Sequence, residues 1–365
     1  MMRKIVIMVI IGMFLLAFGL TIGFAEDKLT FGVLVAGLYD VHTVTEYESA
    51  IAECERLGIE HFDFTANFDD SLQISQLNHL LSRGVDAVAI QLVDSNAEGP
   101  AIKKLMEAGV KVMIMDTPLG KDIHADGMVI ANNIQCSEKI GEKIVKFLIQ
   151  KYGKPKGKIL EIMGKLQYVG HHQRSQGFHN IVDKYPDIEV ISKPGEFSAD
   201  ICSAIVEDVF GAQGKEIDAI YCSTDGLHWP GVIPALKRLG YLYPVGNPKH
   251  VFLAGIDASP YGLTAIRNGE ADYSIAQPPD MYGKLAIQWA YKLLKGENIP
   301  SVGSTVESDD RFDLWYPLTI TEAPNGDPEI DVNIFSVPDE VSPFDMRLYG
   351  VRVLYERELE AKAKE

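Results

Sequence analysis

The stretch Ser82–Leu119, SRGVDAVAIQLVDSNAEGPAIKKLMEAGVKVMIMDTPL, decides the fold. Its two strand candidates, Ala87–Leu92 and Lys111–Met115, are apolar nearly throughout and do not alternate. Strands of that composition are buried on both faces, as in parallel sheets covered by helices. Gly84 and Gly109 stand just ahead of them, where helices should end. Similar runs recur at Leu29–Ala36, Met128–Ala131, Lys158–Met163, Ile188–Ser192, Ala219–Cys222, Val251–Ile256 and Tyr273–Ala276.

Between the runs the period changes. In Ser71–Ser82, Leu72, Ile74, Leu77, Leu80 and Leu81 largely fall on one helical face. Glu138–Ile149 and Ile201–Phe210 repeat the pattern, and Gly58 and Gly240 are further helix stops. Pro278 and Pro279 suit a first helical turn, where a missing N–H costs nothing. The repeated β-α unit predicts an α/β protein with parallel sheets. One set of units is complete near Ala131–Gln135 and a second begins near Lys154–Lys158, so two lobes are expected.

The first residues bear on compartment. Arg3 and Lys4 precede an apolar run from Ile5 to Leu20, and Gly23 and Ala25 are small. This reads as a secretory signal, residues 1–25, cleaved after Ala25, and so as a periplasmic or otherwise extracytoplasmic protein. The formal net charge of −17 repels phosphate backbones and excludes nucleic acid as a natural partner. The four cysteines, Cys54, Cys136, Cys202 and Cys222, form no CxxC pair and are expected as buried free thiols.

No GxSxG, HExxH, Walker loop or post-strand GxGxxG is present, so neither an enzyme nor a cofactor is expected. In open α/β sheets ligands bind beyond the C-terminal ends of strands. The polar and aromatic residues in those places are Asp40, His42, Thr43, Asn67, Phe68, Gln91, Asp94, Asp116 and Thr117 in the first half. In the second half they are Gln167, Tyr168, His171, His172, Arg174, Phe197, Thr224, Asp225, His228, Trp229, Asp257 and Gln277. Carboxylates accept from paired hydroxyls, a guanidinium fork donates, amides do both, and rings cover the C–H faces of a sugar. Carboxylates in both halves balanced by one Arg suit a neutral polyhydroxylated ligand rather than a phosphate. An Asp or Asn after a strand is also an ordinary helix N-cap, and Trp229 serves equally as core or platform. The histidine spacing matches no metal motif.

These residues sit in a chain that, from Leu29 to about Thr321, resembles the ribose/galactose-type periplasmic sugar-binding proteins of ABC transporters (periplasmic binding protein type I). The resemblance is carried by LTFGVLVAGLYDVH at Leu29–His42, SRGVDAVAIQLVDSNA at Ser82–Ala97 and GVKVMIMDTPL at Gly109–Leu119. RSQGF at Arg174–Phe178, GIDASP at Gly255–Pro260 and ADYSIAQPPDMYG at Ala271–Gly283 continue it. It implies two Rossmann-like lobes with parallel sheets, joined by a multi-strand hinge and closing around a monosaccharide. The lobes would comprise residues 29–132 with 278–314, and 133–277 with 315–321, leaving 322–365 as a C-terminal extension whose charged end could be an exposed helix.

By the same resemblance Asp116, Arg174, Asp257 and Gln277 match family binding positions, Phe197 an aromatic of the second lobe, and Asp40 a polar residue of the first loop. Thr117 stands where ribose binders carry arginine, His42 and Thr43 where two phenylalanines sandwich the ring, and Thr224 replaces a common asparagine. The first lobe is therefore expected to stack less and hydrogen-bond more. A monomer delivering a sugar, polyol or inositol to an ABC permease is implied, with a ligand-sensing partner of a membrane receptor or chemotaxis system as the alternative.

Overall fold

The computed structural model describes residues 28–165, 168–213, 216–308 and 313–364. The expected signal and its cleavage point, and Gln167, lie outside the described residues. In chain order the elements are β1 (Thr30–Val35), α1 (Val41–Leu57), β2 (Glu60–Thr65), α2 (Asp70–Arg83), β3 (Ala87–Ile90), α3 (Gly99–Glu107), β4 (Lys111–Met115), β5 (Gly127–Ile130) and α4 (Asn133–Tyr152). There follow β6 (Gly157–Met163), α5 (Val169–Val182), β7 (Ile188–Pro194), α6 (Ala199–Gln213), β8 (Ile217–Cys222), α7 (Asp225–Leu239), β9 (Phe252–Asp257), α8 (Pro260–Arg267), β10 (Tyr273–Ala276) and α9 (Pro279–Leu294). The chain ends with β11 (Thr305–Val306), β12 (Leu318–Glu322), β13 (Pro328–Asp331), β14 (Phe335–Val337) and α10 (Tyr349–Ala363).

Two sheets result. The first has the strand order β11-β12-β13-β5-β4-β3-β1-β2 and the second β14-β10-β9-β8-β6-β7. The ladders from β1 to β5 and from β6 to β10 are parallel, as wholly apolar strands require. β3, β4 and β8 carry almost no exposed residue, whereas β2 (EHFDFT) is half exposed because it is an edge. Asp40, Asp69, Asn132 and Ser259 cap α1, α2, α4 and α8 through their side chains. Gly58, Gly84, Gly153 and Gly240 end α1, α2, α4 and α7 in the left-handed conformation.

The end of the chain differs from expectation. Residues 315–321, expected in the second lobe, lead into β12 of the first sheet, where Leu318 and Ile320 are fully buried and the burial alternates. The extension is woven in as well. β13 pairs in parallel with β5 and antiparallel with β12, and β14 pairs antiparallel with β10 in the second sheet. Ile330 and Val337 are the buried apolar residues that hold these short strands in place. The chain passes between the sheets three times, after β5, after β10 and after β13. α10 buries its first turn (Tyr349, Gly350, Val351) and exposes the charged remainder.

Candidate functional site

The C-terminal strand ends of the two sheets face one cleft, and the loops there are strained. Among the described residues, seven non-glycine residues adopt positive φ: Asn67, Phe68, Asp116, Glu196, Phe197, Asp257 and Ala258. Six of them follow β2, β4, β7 or β9 within three residues, and Asp257 is the last residue of β9. Backbone held in a sparsely populated region marks a place where the surrounding structure over-determines geometry.

From the first lobe, Tyr39, Asp40, His42, Thr43, Gln91, Asp116, Thr117 and Pro118 line the cleft. Asp40 is both cap and lining, since Oδ1 accepts from the Thr43 N–H and hydroxyl at 2.9 Å each. His42 Nε2 lies 3.6 Å from Asp116 Oδ1. Gln91 holds the other side of Asp116: its Oε1 accepts from Ala36 N–H at 3.2 Å, so Nε2 donates to Asp116 Oδ2 at 3.0 Å and to Glu46 Oε2 at 2.9 Å. Burial alone would lower the His42 pKa, but the hydrogen bond and charge of Asp116, with Asp257 and Asp40, outweigh it and raise it to about 10. Burial opposes ionisation of Asp116, yet His42, Arg174 and Gln91 hold its carboxyl below the usual carboxylate range. Glu46, which is fully buried, is pushed well up by burial and then by Asp116.

From the second lobe come Asn133, Tyr168, Gly170, His171, Arg174, Phe197, Thr224, Leu227 and Asp257. The guanidinium of Arg174 is fixed on three sides. Nε donates to Asn133 Oδ1 at 2.8 Å, Nη1 donates to the Ser223 carbonyl at 2.6 Å, and Nη1 stands 3.7 Å from Asp257 Oδ1. Thr224 Oγ1 donates to the other Asp257 oxygen at 2.5 Å. Burial, then the Arg174 charge, depresses His171 well below the usual imidazole value. Its neutral ring meets Phe197 edge-on at 4.6 Å. Aromatic faces also meet across the lobes: Tyr39 and Phe68 stack with Phe197 at 6.3 and 6.4 Å, and Lys165 sits 3.8 Å over Phe68. The lobes are therefore closed. The empty space of the cleft, open mouth included, is about 500 Å³. His42 Nδ1, Thr117 Oγ1 and His171 Nδ1 are buried there without a partner among the described residues.

Asp40, His42, Thr43, Gln91, Asp116, Thr117, Tyr168, His171, Arg174, Phe197, Thr224 and Asp257 thus meet in one place. Asn67 does not line the cleft; it forms the turn after β2. Phe68 lies on the rim, packed on Tyr39 at 4.3 Å. Gln277 is turned inward, accepting from the Tyr282 hydroxyl at 3.0 Å and facing Cys136 Sγ at 3.7 Å, which places it in the hinge wall. His228 is wholly buried behind Phe197, and Trp229 is core of the second lobe against Gly255. Asp94 and Asp225 are spent on loop backbone and on Ser259 and Ser274, and His172 is exposed. Tyr39, Asn133, Leu227 and the buried Glu46 were not singled out in the sequence. Tyr39 brings an aromatic ring of the first lobe into the cleft, stacked on Phe197 of the second, beside positions 42 and 43. His42, Glu46 and Asp116 are the histidine–carboxylate group with metal-ligand proximity among the described residues, their nearest ligand atoms all within 4.8 Å.

Residues 31–298 match the model of the periplasmic binding protein domain. The chain belongs to this family. It is 26% identical over 276 residues to the ribose import binding protein of Bacillus subtilis, covering 75% of this chain and 84% of that protein. An ABC transporter solute-binding protein from Bacillus halodurans, solved with bound myo-inositol, is 25% identical with a TM-score of 0.67, over 74% of this chain and 91% of that one. The fructose-binding periplasmic domain of a hybrid two-component system reaches a TM-score of 0.72 at 20% identity, over 92% of this chain and 98% of that one, which is a likeness of fold. Among the described residues no helix is long and apolar enough to cross a membrane.

Proposed function

We propose that this protein is an extracytoplasmic solute-binding protein that captures a small neutral polyhydroxylated ligand, a sugar, polyol or inositol, by hinge closure. The observation that carries this reading is the convergence of Asp116, Arg174 and Asp257 from two closed lobes onto one cleft, beside aromatic faces and unpartnered buried polar atoms. Contacts from both lobes exist only when the cleft is closed, so a ligand shifts the hinge equilibrium by its differential affinity. A fixed guanidinium donates to hydroxyls, Asp40, Asp116 and Asp257 accept, and Phe197 and Tyr39 cover C–H faces. Relatives named for ribose import, and one solved with myo-inositol bound, support that ligand class. The closed form then docks, as a monomer, on an ABC permease.

The test is a thermal-shift screen of the protein without residues 1–25 against pentoses, hexoses, polyols and inositols, followed by calorimetry. A ligand that binds only the folded state raises the melting temperature. A hit that is abolished in Asp257→Ala supports the reading; a panel without any shift overturns it. Delivery is tested separately by whether the liganded protein stimulates its permease's ATPase in proteoliposomes.

A further inference from the structure

The chain beyond the family-matched region reaches back to the cleft. Residues after 298 include the two short strands that join opposite sheets, and then a segment that touches both lobes. On the second lobe, Arg267 of α8 donates to the Pro343 carbonyl and its guanidinium lies 4.6 Å over the Phe344 ring. Gly350 lies so close to the Ala258 carbonyl and to Leu263 that a Cβ there would collide with both. Ala258 directly follows Asp257 of the cleft.

On the first lobe, the Tyr349 ring stands edge-on to the His42 imidazole with centroids 6.1 Å apart. Tyr282 of α9 flanks the same imidazole at 6.0 Å. One turn of α10 further on, Arg352 pairs with Asp280 in the first turn of α9. α9 packs on α1, the helix that bears His42 and Glu46. Leu348 and Tyr349 are almost completely buried, so this segment is seated rather than draped.

We propose that Tyr349 and Arg352 are positioning residues of the ligand cleft: Tyr349 backs His42, and the Arg352–Asp280 pair ties the second lobe's tail to the first lobe, so that the tail fastens the closed form. No side chain of the segment lines the cleft. Its action runs through His42 and through the relative position of the lobes. A pair joining two bodies that separate on opening favours the closed state by its own coupling. The part of this that concerns affinity rests on the ligand-binding reading of His42; the part that concerns closure does not.

The experiment has two arms on the full chain without residues 1–25. In small-angle X-ray scattering without ligand, Arg352→Ala, Asp280→Ala and Tyr349→Ala are expected to show a larger radius of gyration than the parent. Arg347→Ala, whose partner Asp345 lies in the tail itself, is expected to leave it unchanged. The double variant Arg352→Ala/Asp280→Ala is expected to match either single one. In calorimetry with D-ribose, xylitol and myo-inositol as probes, any probe that binds the parent is expected to bind up to about fivefold more weakly to Arg352→Ala, the scale of a partly exposed ion pair. Tyr349→Phe, which keeps the ring against His42, is expected to bind as the parent does. Lower melting temperatures with an unchanged radius of gyration would overturn the proposal, because a merely structural tail predicts that result. Should none of the three probes bind the parent, the scattering arm by itself decides the closure claim.

Discussion

His42 Nε2 stands 3.6 Å from Asp116 Oδ1, and the two share a buried wall with Gln91 and Glu46. The pair fixes one protonation state of the cleft. With its pKa raised from the ordinary 6.5 to about 10, His42 keeps a proton that the unfolded chain releases. Its contribution to stability is complete below pH 6.5 and is lost as pH rises through about 10.

Buried carboxyls push in the same direction. Burial, then Asp257, raises Asp225 to about 7; burial, then Glu329, raises Asp331 to about 7; burial raises Glu98 to about 8. Their contributions too are complete in acid, below the ordinary carboxyl pKa of about 4, and are lost progressively from there up to those values. The melting temperature is therefore expected to fall from pH 6.5 to pH 10, and to fall less steeply in His42→Gln. Equal slopes in the two proteins would remove His42 from the account.

Arg174→Lys is expected to behave nearly as badly as Arg174→Ala. A lysine cannot reproduce the simultaneous bonds to Asn133 and Ser223 that aim the guanidinium. Truncation to Ala leaves the neighbouring Asp257 short of its cation, and removing one partner of a buried charge pair costs about 2–5 kcal/mol of affinity. Calorimetry on the ligand found in the screen measures this; wild-type affinity in the lysine variant would contradict it.

Two glycine substitutions should move stability in opposite directions. At Gly177 in α5 a Cβ would strike the Ile134 carbonyl of α4, and overpacking of that kind costs about 1–3 kcal/mol. At Gly211 in the last turn of α6 nothing lies within 4 Å of an added Cβ, so Gly211→Ala is expected to stabilise by about 0.5–1 kcal/mol. Urea denaturation of both variants checks the pair.

All four cysteines are free and buried. The native protein is expected to resist a thiol reagent such as Ellman's, and to react at all four positions once unfolded. A reductant should leave the melting temperature where it was; a drop would mean a disulfide.

Much of this architecture was legible because β1, β3–β6 and β8–β10 are apolar nearly throughout, a pattern few other elements share. β2 escaped a firm boundary because EHFDFT alternates polar and apolar at an exposed edge. β11 to β14 are too short and too mixed to announce themselves, and only long-range pairing makes them strands. In the cleft, the strand-end rule led to Asp116 and Asp257, which stand at the C-terminal ends of β4 and β9, and to Arg174, which reaches the same place from within α5. It misplaced Gln277, whose amide finds Tyr282 and Cys136 inside the hinge instead. Glu46 was missed although it lies four residues after His42, one helical turn along the same face. Tyr39 was missed because the polar residues beside it drew the reading.

The insertion of β13 between β5 and β12 has a consequence for how the protein is made. The first sheet is begun by β1, the earliest strand of the described chain, and cannot be completed until residue 331 has emerged from the ribosome. Pairing across such a separation is slow and comes late. A nascent chain thus holds an unfinished sheet for nearly the whole of its synthesis, and a chain kept from folding is one that can still be threaded through a translocation pore.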